Sequence, residues 1–220
     1  MIQKYEKPSV TVDIVIFTIQ ANELKVLLVK RAIEPFKGRW AIPGGFVKID
    51  ESLEEAAKRE LSEETGVKDV YLEQLYSFGE PKRDPRGRVI TVAYMALINS
   101  DKIKLKATTD VSDAQWFSIS KLPSLAFDHQ KILDYSLKRL RWKFEYTTVA
   151  FSMLPKQFTI SQIHKLYELV FNKSFDKRNF AKKILSLDIL KEERINKEVS
   201  YRPPMLYSLK KDIGEIIEII

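Results

Sequence analysis

The stretch 45–67, GFVKIDESLEEAAKRELSEETGV, constrains this chain more than any other. Ser52 followed three residues later by Glu55 has the form of a capping box, and Gly66 stands where a left-handed residue would end a helix, so the spacing predicts a helix over 53–65. On it Glu60 precedes Glu63 by three residues and Glu64 by four, which puts the three carboxylates on one side. Like charges gathered this way repel unless a cation sits among them. Magnesium takes oxygen ligands and is commonly held by a few carboxylates while it also touches substrate phosphates. With Glu51 just before the helix, the segment offers a seat for such an ion; the alternative reading is an acidic, solvated helix face.

The spacing argues against the solvated face. Gly45, Glu51, Arg59-Glu60, Glu63-Glu64 and Gly66, with apolar residues at 61 and 67, resemble the Nudix box at every specified position. Ahead of it lies Pro43-Gly44-Gly45, a cluster that lets the backbone turn tightly and approach a ligand closely. Gly44 and Gly45 are therefore candidate effector contacts.

The rest of the first half reads as strands around this helix. Residues 9–19 and 23–31 are β-rich and almost continuously apolar in their centres, as strands covered on both faces are, with a turn at Ala21-Asn22. Further strands are expected at 70–78, 89–98 and 114–119. Between the first two of these, GEPKRDPRGR at 79–88 carries three arginines. Guanidinium groups grip phosphate in a bidentate way, so Arg83, Arg86 and Arg88 are candidates for holding a diphosphate; a solvated hairpin tip fits the spacing equally well. A helix is expected over 128–146, with His129 at its start as a packed, hydrogen-bonding residue.

From about residue 150 the texture changes. Thr159 with Gln162 forms a second capping box before an amphipathic helix, and a turn at 172–175 leads into another helix at 176–187. At about 100° per residue, Phe180, Ala181, Ile184, Leu185 and Leu187 fall on one side of that helix and Arg178, Asn179, Lys182, Lys183 and Ser186 on the other. Segments 189–193 and 203–209 suit a two-stranded hairpin. Helix, turn, helix and hairpin is the order of a winged helix-turn-helix. Residues 151–211 hold 13 Lys and Arg against 6 Asp and Glu, so the chain's net +7 is concentrated here. Arg, Asn and Lys on one helix face are side chains that reach guanine, adenine and phosphate in a major groove. The plain alternative is a small helical domain kept soluble by its lysines. The acidic, apolar end at 212–220 reads as a packing tail.

The full series of features resembles the NrtR family of Nudix-related transcriptional regulators: the box, FGEPKRDPRGR, LAFDHQKIL, LRWKFEYTTVAFSMLP, DKRNFAKKIL and YRPPMLYSL. The resemblance implies an α/β/α Nudix sandwich with a mixed sheet over 1–150 and a winged helix-turn-helix over 151–220. It also implies a small effector, ADP-ribose or a sugar, a homodimer, and a palindromic double-stranded DNA operator. DNA-reading positions carry over as Lys177, Arg178, Asn179, Lys182 and Lys183, with Lys197 and Arg202 on the wing. Many relatives have a degraded box, whereas every specified residue is present here. The similar Nudix hydrolases then imply Glu60, Glu63 and Glu64 on Mg²⁺ or Mn²⁺ with Glu51 assisting, catalysis resting on Glu63 and Glu64, and Arg59 orienting the glutamates. A Mg²⁺-dependent pyrophosphatase acting on ADP-ribose or another nucleoside-diphosphate derivative is thus the competing function, and one chain can carry both.

The chain has no cysteine, which removes disulfides, thiolate metal sites and a cysteine nucleophile. No apolar run approaches bilayer length and MIQKYEKPSV lacks the apolar centre of a signal peptide, so no membrane partner and a cytoplasmic location are expected.

Overall fold

The computed structural model describes residues 6–66, 70–99, 111–193, 204–211 and 217–219, and the chain forms two compact units. The first comprises residues 1–18 and 25–136 and the second residues 19–24 and 137–220.

The first unit is built on a mixed seven-stranded sheet. Strands β1 (Ser9–Gln20) and β2 (Glu23–Arg31) are joined at Ala21 and Asn22, both at positive φ, the backbone that a tight two-residue hairpin turn demands. The other strands are β3 (Trp40–Ala41), β4 (Gly44–Phe46), β5 (Tyr71–Phe78), β6 (Val89–Leu97) and β7 (Val111–Ser118). The path runs β3-β2-β1-β6-β5, with β4 pairing β1 and β7 pairing β2. β1 runs parallel to β6 and antiparallel to β4. Eight consecutive residues of β1 are buried, which is why its alternation disappears into an apolar run.

Helix α1 (Leu53–Thr65) has both caps read from the sequence: Ser52 and Glu55 exchange hydrogen bonds, and Gly66 sits at φ 69° with its N–H on the Ser62 carbonyl. It buries Ala56, Ala57 and Leu61 against Val12, Ile14 and Val92 of the sheet. That packing fixes which face of α1 is left for its glutamates. Helix α2 (His129–Tyr146) follows a loop whose Phe127 is held at φ 51°.

In the second unit a 3-10 helix (Thr148–Met153) leads to α3 (Ile160–Phe171), α4 (Lys177–Ser186) and the hairpin β8 (Leu190–Glu193) with β9 (Leu206–Leu209). α3 carries the expected Thr159/Gln162 box and ends on Asn172 in the left-handed region. Its buried Tyr167 is the hub: the ring meets Phe144, Phe171 and Phe180, and its hydroxyl donates to the Phe144 carbonyl at 2.9 Å. Phe158 and Tyr207 exchange backbone hydrogen bonds of 2.9 and 2.8 Å, tying the hairpin to the start of α3. The tail behaves as a packing segment where it is described, with Ile217 and Ile219 N–H groups on the carbonyls of Tyr146 and Glu145 at the end of α2 and Ile219 buried.

One expectation for α4 is corrected. Phe180 and Ile184 form its buried face, but Leu185 is 47% exposed, because one residue of helix rotation past Ile184 carries it out of the contact with α3.

Candidate functional site

The box assembles around Arg59. Its Nε and Nη2 donate to both oxygens of Glu51 at 2.9 and 2.7 Å, Nη1 donates to Glu60 Oε1 at 2.7 Å, and Nη2 reaches the Phe46 carbonyl at 3.2 Å. Glu63 Oε2 lies 3.6 Å from Nη1. One guanidinium therefore arranges three glutamates. Glu51 also accepts the Lys48 N–H at 2.8 Å. Chiefly through the bond from Arg59, its carboxyl is held down to about 2. Glu60 behaves oppositely: burial pushes its carboxyl up, with Glu63 and Glu51 adding to the shift against the pull of Arg59.

The two glycines earn their place by volume. A Cβ on Gly45 would fall 2.0 Å from Glu60 Oε1, and one on Gly44 would fall 2.2 Å from the Val12 carbonyl oxygen. Only a bare backbone lets β4 lie between β1 and the Glu60 carboxylate.

Glu60 and Glu63 are hard oxygen donors that share one guanidinium nitrogen of Arg59, so the pair fits a divalent cation such as Mg²⁺. The side chain of Glu64 lies outside the described residues. Among those described, no three acidic or histidine side chains gather into a metal-binding group.

The box forms one wall of a cavity of about 450 Å³. Arg83, Arg86, Asp84, Asp13, His129 and Phe127 line it as well. Of the three loop arginines, two line the cavity and one does not. Arg83 is buried and donates two bonds to Asp128, at 2.7 and 3.1 Å, with Asp13 at 3.6 Å. Arg86 is paired with Asp84 at 2.6 Å and lies over the rings of Phe46 and Phe127, 4.9 and 5.4 Å from their centroids. Arg88 donates to the Gly79 carbonyl at 2.6 Å, closing the base of the loop outside the cavity lining.

Sequence reasoning passed over Asp13 and the cavity side of His129. Both are almost fully buried. His129 Nδ1 accepts the Ile42 N–H at 2.9 Å, which leaves the ring proton on Nε2, 3.7 Å from Asp13 Oδ1. Burial lowers the affinity of this imidazole for a second proton, outweighing the nearby Asp13. A lone carboxylate inside VTVDIVIF was the available signal, since a charge in a buried strand requires partners.

In the second unit the α4 side chains Lys177, Arg178, Asn179, Lys182 and Lys183 are all exposed, and Asp176 caps the helix by accepting the Asn179 N–H at 2.8 Å. Lys197 and Arg202 lie outside the described residues.

Residues 7–139 match the NUDIX domain family, and residues 150–209 match the NrtR DNA-binding winged helix domain. The chain belongs to the Nudix family, in its branch that couples the domain to an NrtR-type winged helix. It is 36% identical over 207 residues to the ADPR responsive transcriptional repressor NtrR of Acinetobacter baylyi, covering 92% of this chain and 82% of the relative. Over 140 residues it is 43% identical to the ADP-ribose pyrophosphatase of Methanocaldococcus jannaschii, covering 63% of this chain and 77% of the relative. Shewanella oneidensis NrtR, solved in complex with a 27mer DNA, superposes with a TM-score of 0.81 at 34% identity, over 94% of this chain and 97% of that one. Among the described residues no helix is long and apolar enough to cross a membrane.

Proposed function

We propose that this chain is a sequence-specific DNA-binding transcriptional regulator of the cytoplasm. Its Nudix domain senses ADP-ribose or a closely similar nucleoside-diphosphate sugar, and it acts as a homodimer on a palindromic operator. The observation that carries the reading is the winged-helix match over 150–209, within which α4 presents four cations and an amide to solvent. An enzyme has no need of them. Lys177, Arg178, Asn179, Lys182 and Lys183 enter the major groove, and Lys197 and Arg202 serve the wing. A dimer places two such helices on half-sites a whole number of helical turns apart. In the Nudix domain Arg86 and the backbone at Gly44 and Gly45 receive the ligand, while Arg83, committed to Asp128 and Asp13, shapes the wall. A gel shift with the chain's own upstream region tests this: binding at low salt that weakens steeply as salt rises is expected, and no binding at low salt overturns it.

A second activity is favoured by the assembled box and by the likeness to an ADP-ribose pyrophosphatase. Glu60, Glu63 and Glu64 would hold Mg²⁺ or Mn²⁺, which when bound supplies charge stabilisation for a leaving phosphate. Arg59 keeps the glutamates in register, and Glu51, locked by Arg59, anchors the guanidinium. Magnesium-dependent release of AMP from ADP-ribose, abolished in Glu63→Gln and in Glu64→Gln, is the expected result; no turnover across a panel of diphosphates would remove the activity and leave a sensor.

A further inference from the structure

Asp13 and His129 are buried polar groups that the readings above leave without a task. Both line the cavity, and both are held by the fold rather than by each other. The Ile42 N–H fixes the imidazole so that a proton sits on Nε2. That nitrogen is 3.7 Å from Asp13 Oδ1, too far for a direct hydrogen bond. Asp13 Oδ2 is buried and makes no hydrogen bond among the described residues, its nearest cation being Arg83 Nη2 at 3.6 Å. A buried carboxylate oxygen without a donor is costly unless something supplies one. Gly44 keeps the approach open, since a Cβ there would stand 2.9 Å from Asp13 Oδ1.

A fixed donor beside a fixed acceptor, separated by slightly more than one hydrogen bond, matches a group that accepts and donates at once. A hydroxyl does this; a phosphate oxygen does not, because Asp13 would repel it. We propose that Asp13 and His129 form a subsite for a ribose hydroxyl of the ligand, whose oxygen accepts from His129 Nε2–H while its proton is donated to the Asp13 carboxylate. The inference rests on the reading of the ligand as a nucleoside-diphosphate sugar and makes the pentose, not the diphosphate alone, the feature that is recognised. Arg83 acts as a positioning residue, holding Asp13 at 3.6 Å through its own anchor on Asp128.

The test is calorimetric titration of the full chain with α,β-methylene ADP-ribose, which hydrolysis of the diphosphate bridge cannot consume, and with two analogues of it. One lacks all three hydroxyls, at C1, C2 and C3, of the terminal ribose and the other lacks both hydroxyls, at C2 and C3, of the adenosine ribose. One analogue is expected to bind about 10²-fold or more weakly than the parent, which identifies the ribose held, because a site built around a hydroxyl strongly rejects a ligand lacking it. Asp13→Val, which removes the acceptor, is expected to bind the parent and that analogue within about threefold of each other. If both analogues bind wild-type chain within about threefold of the parent, the subsite is overturned while ADP-ribose sensing stands. If the parent itself does not bind, the ADP-ribose reading fails and the subsite goes with it.

Discussion

The two units of this chain use charge in opposite ways. Around the Nudix cavity, charges are paired before any ligand arrives: Arg59 to Glu51 and Glu60, Arg83 to Asp128, Arg86 to Asp84. On α4 the cations stand in solvent, over a core of aromatic rings packed edge-on and tilted against one another. The first arrangement suits a small ligand, which is read by position and must find donors and acceptors already in place. The second suits a polyanion, where affinity comes from released counterions and the side chains can settle on arrival. The difference teaches where each unit is fragile: the Nudix unit to the loss of one partner of an ion pair, the winged helix to salt.

The largest expected effect sharpens that contrast. Arg83→Ala removes the cation shared by two buried carboxylates and is expected to destabilise the Nudix unit by about 3–5 kcal/mol in urea unfolding. An unchanged midpoint would mean the pair is solvated and the contrast false. Next, Arg178→Ala is expected to cost about 1–3 kcal/mol of operator affinity and to relax the sequence preference. Lys182→Ala should instead weaken all DNA sequences alike and lower the slope of log affinity against log salt by about 1. Equal salt slopes in wild type and Lys182→Ala would take that lysine off the phosphates.

A fourth prediction concerns pH. Burial depresses the His129 pKa in the folded chain below its ordinary 6.5, so the unfolded chain takes up a proton first. Its contribution to stability is then complete above pH 6.5 and is lost as pH falls from there toward the depressed folded value. Replacing it in His129→Gln is expected to flatten the dependence of the urea midpoint between pH 7 and 5; a slope identical to wild type would assign the dependence elsewhere. The smallest expected effect is Thr159→Ala, which takes away the cap of α3 and should cost about 1 kcal/mol, lowering the thermal midpoint of the second unit while ligand affinity stays the same.

What was legible in the sequence was local. Both caps of α1, the hairpin turn at Ala21-Asn22, the Thr159/Gln162 box and the exposed basic face of α4 depend on residues within a few positions of one another, and all appear as expected. The winged helix follows from its elements and their order, whereas the mixed sheet was legible only through the family resemblance. The spacing puts Glu60 and Glu63 on one side of α1, and the resemblance to Nudix hydrolases puts Arg59 among the glutamates. The illegible part is the meeting of Asp13 and His129 with the loop arginine in one cavity. Asp13, Arg83 and His129 come from β1, the arginine loop and the start of α2, and only the tertiary fold brings them together. Nor does spacing separate Arg86, which turns toward Phe46 and Phe127, from Arg88, which turns back on Gly79: the loop's own hydrogen bonds decide it. Leu185 was misassigned for a related reason, since an angle on a helical wheel does not say how wide the neighbouring surface is.

The emptiness at position 45 is a switch of one atom. Because a Cβ there would collide with the Glu60 carboxylate, Gly45→Ala displaces that side chain from β4 without altering a single charge in the chain. Such a chain would keep its reading head and lose its ear, a regulator fixed in whichever state the unliganded protein adopts, and thereby a direct way to learn from cells what that state does.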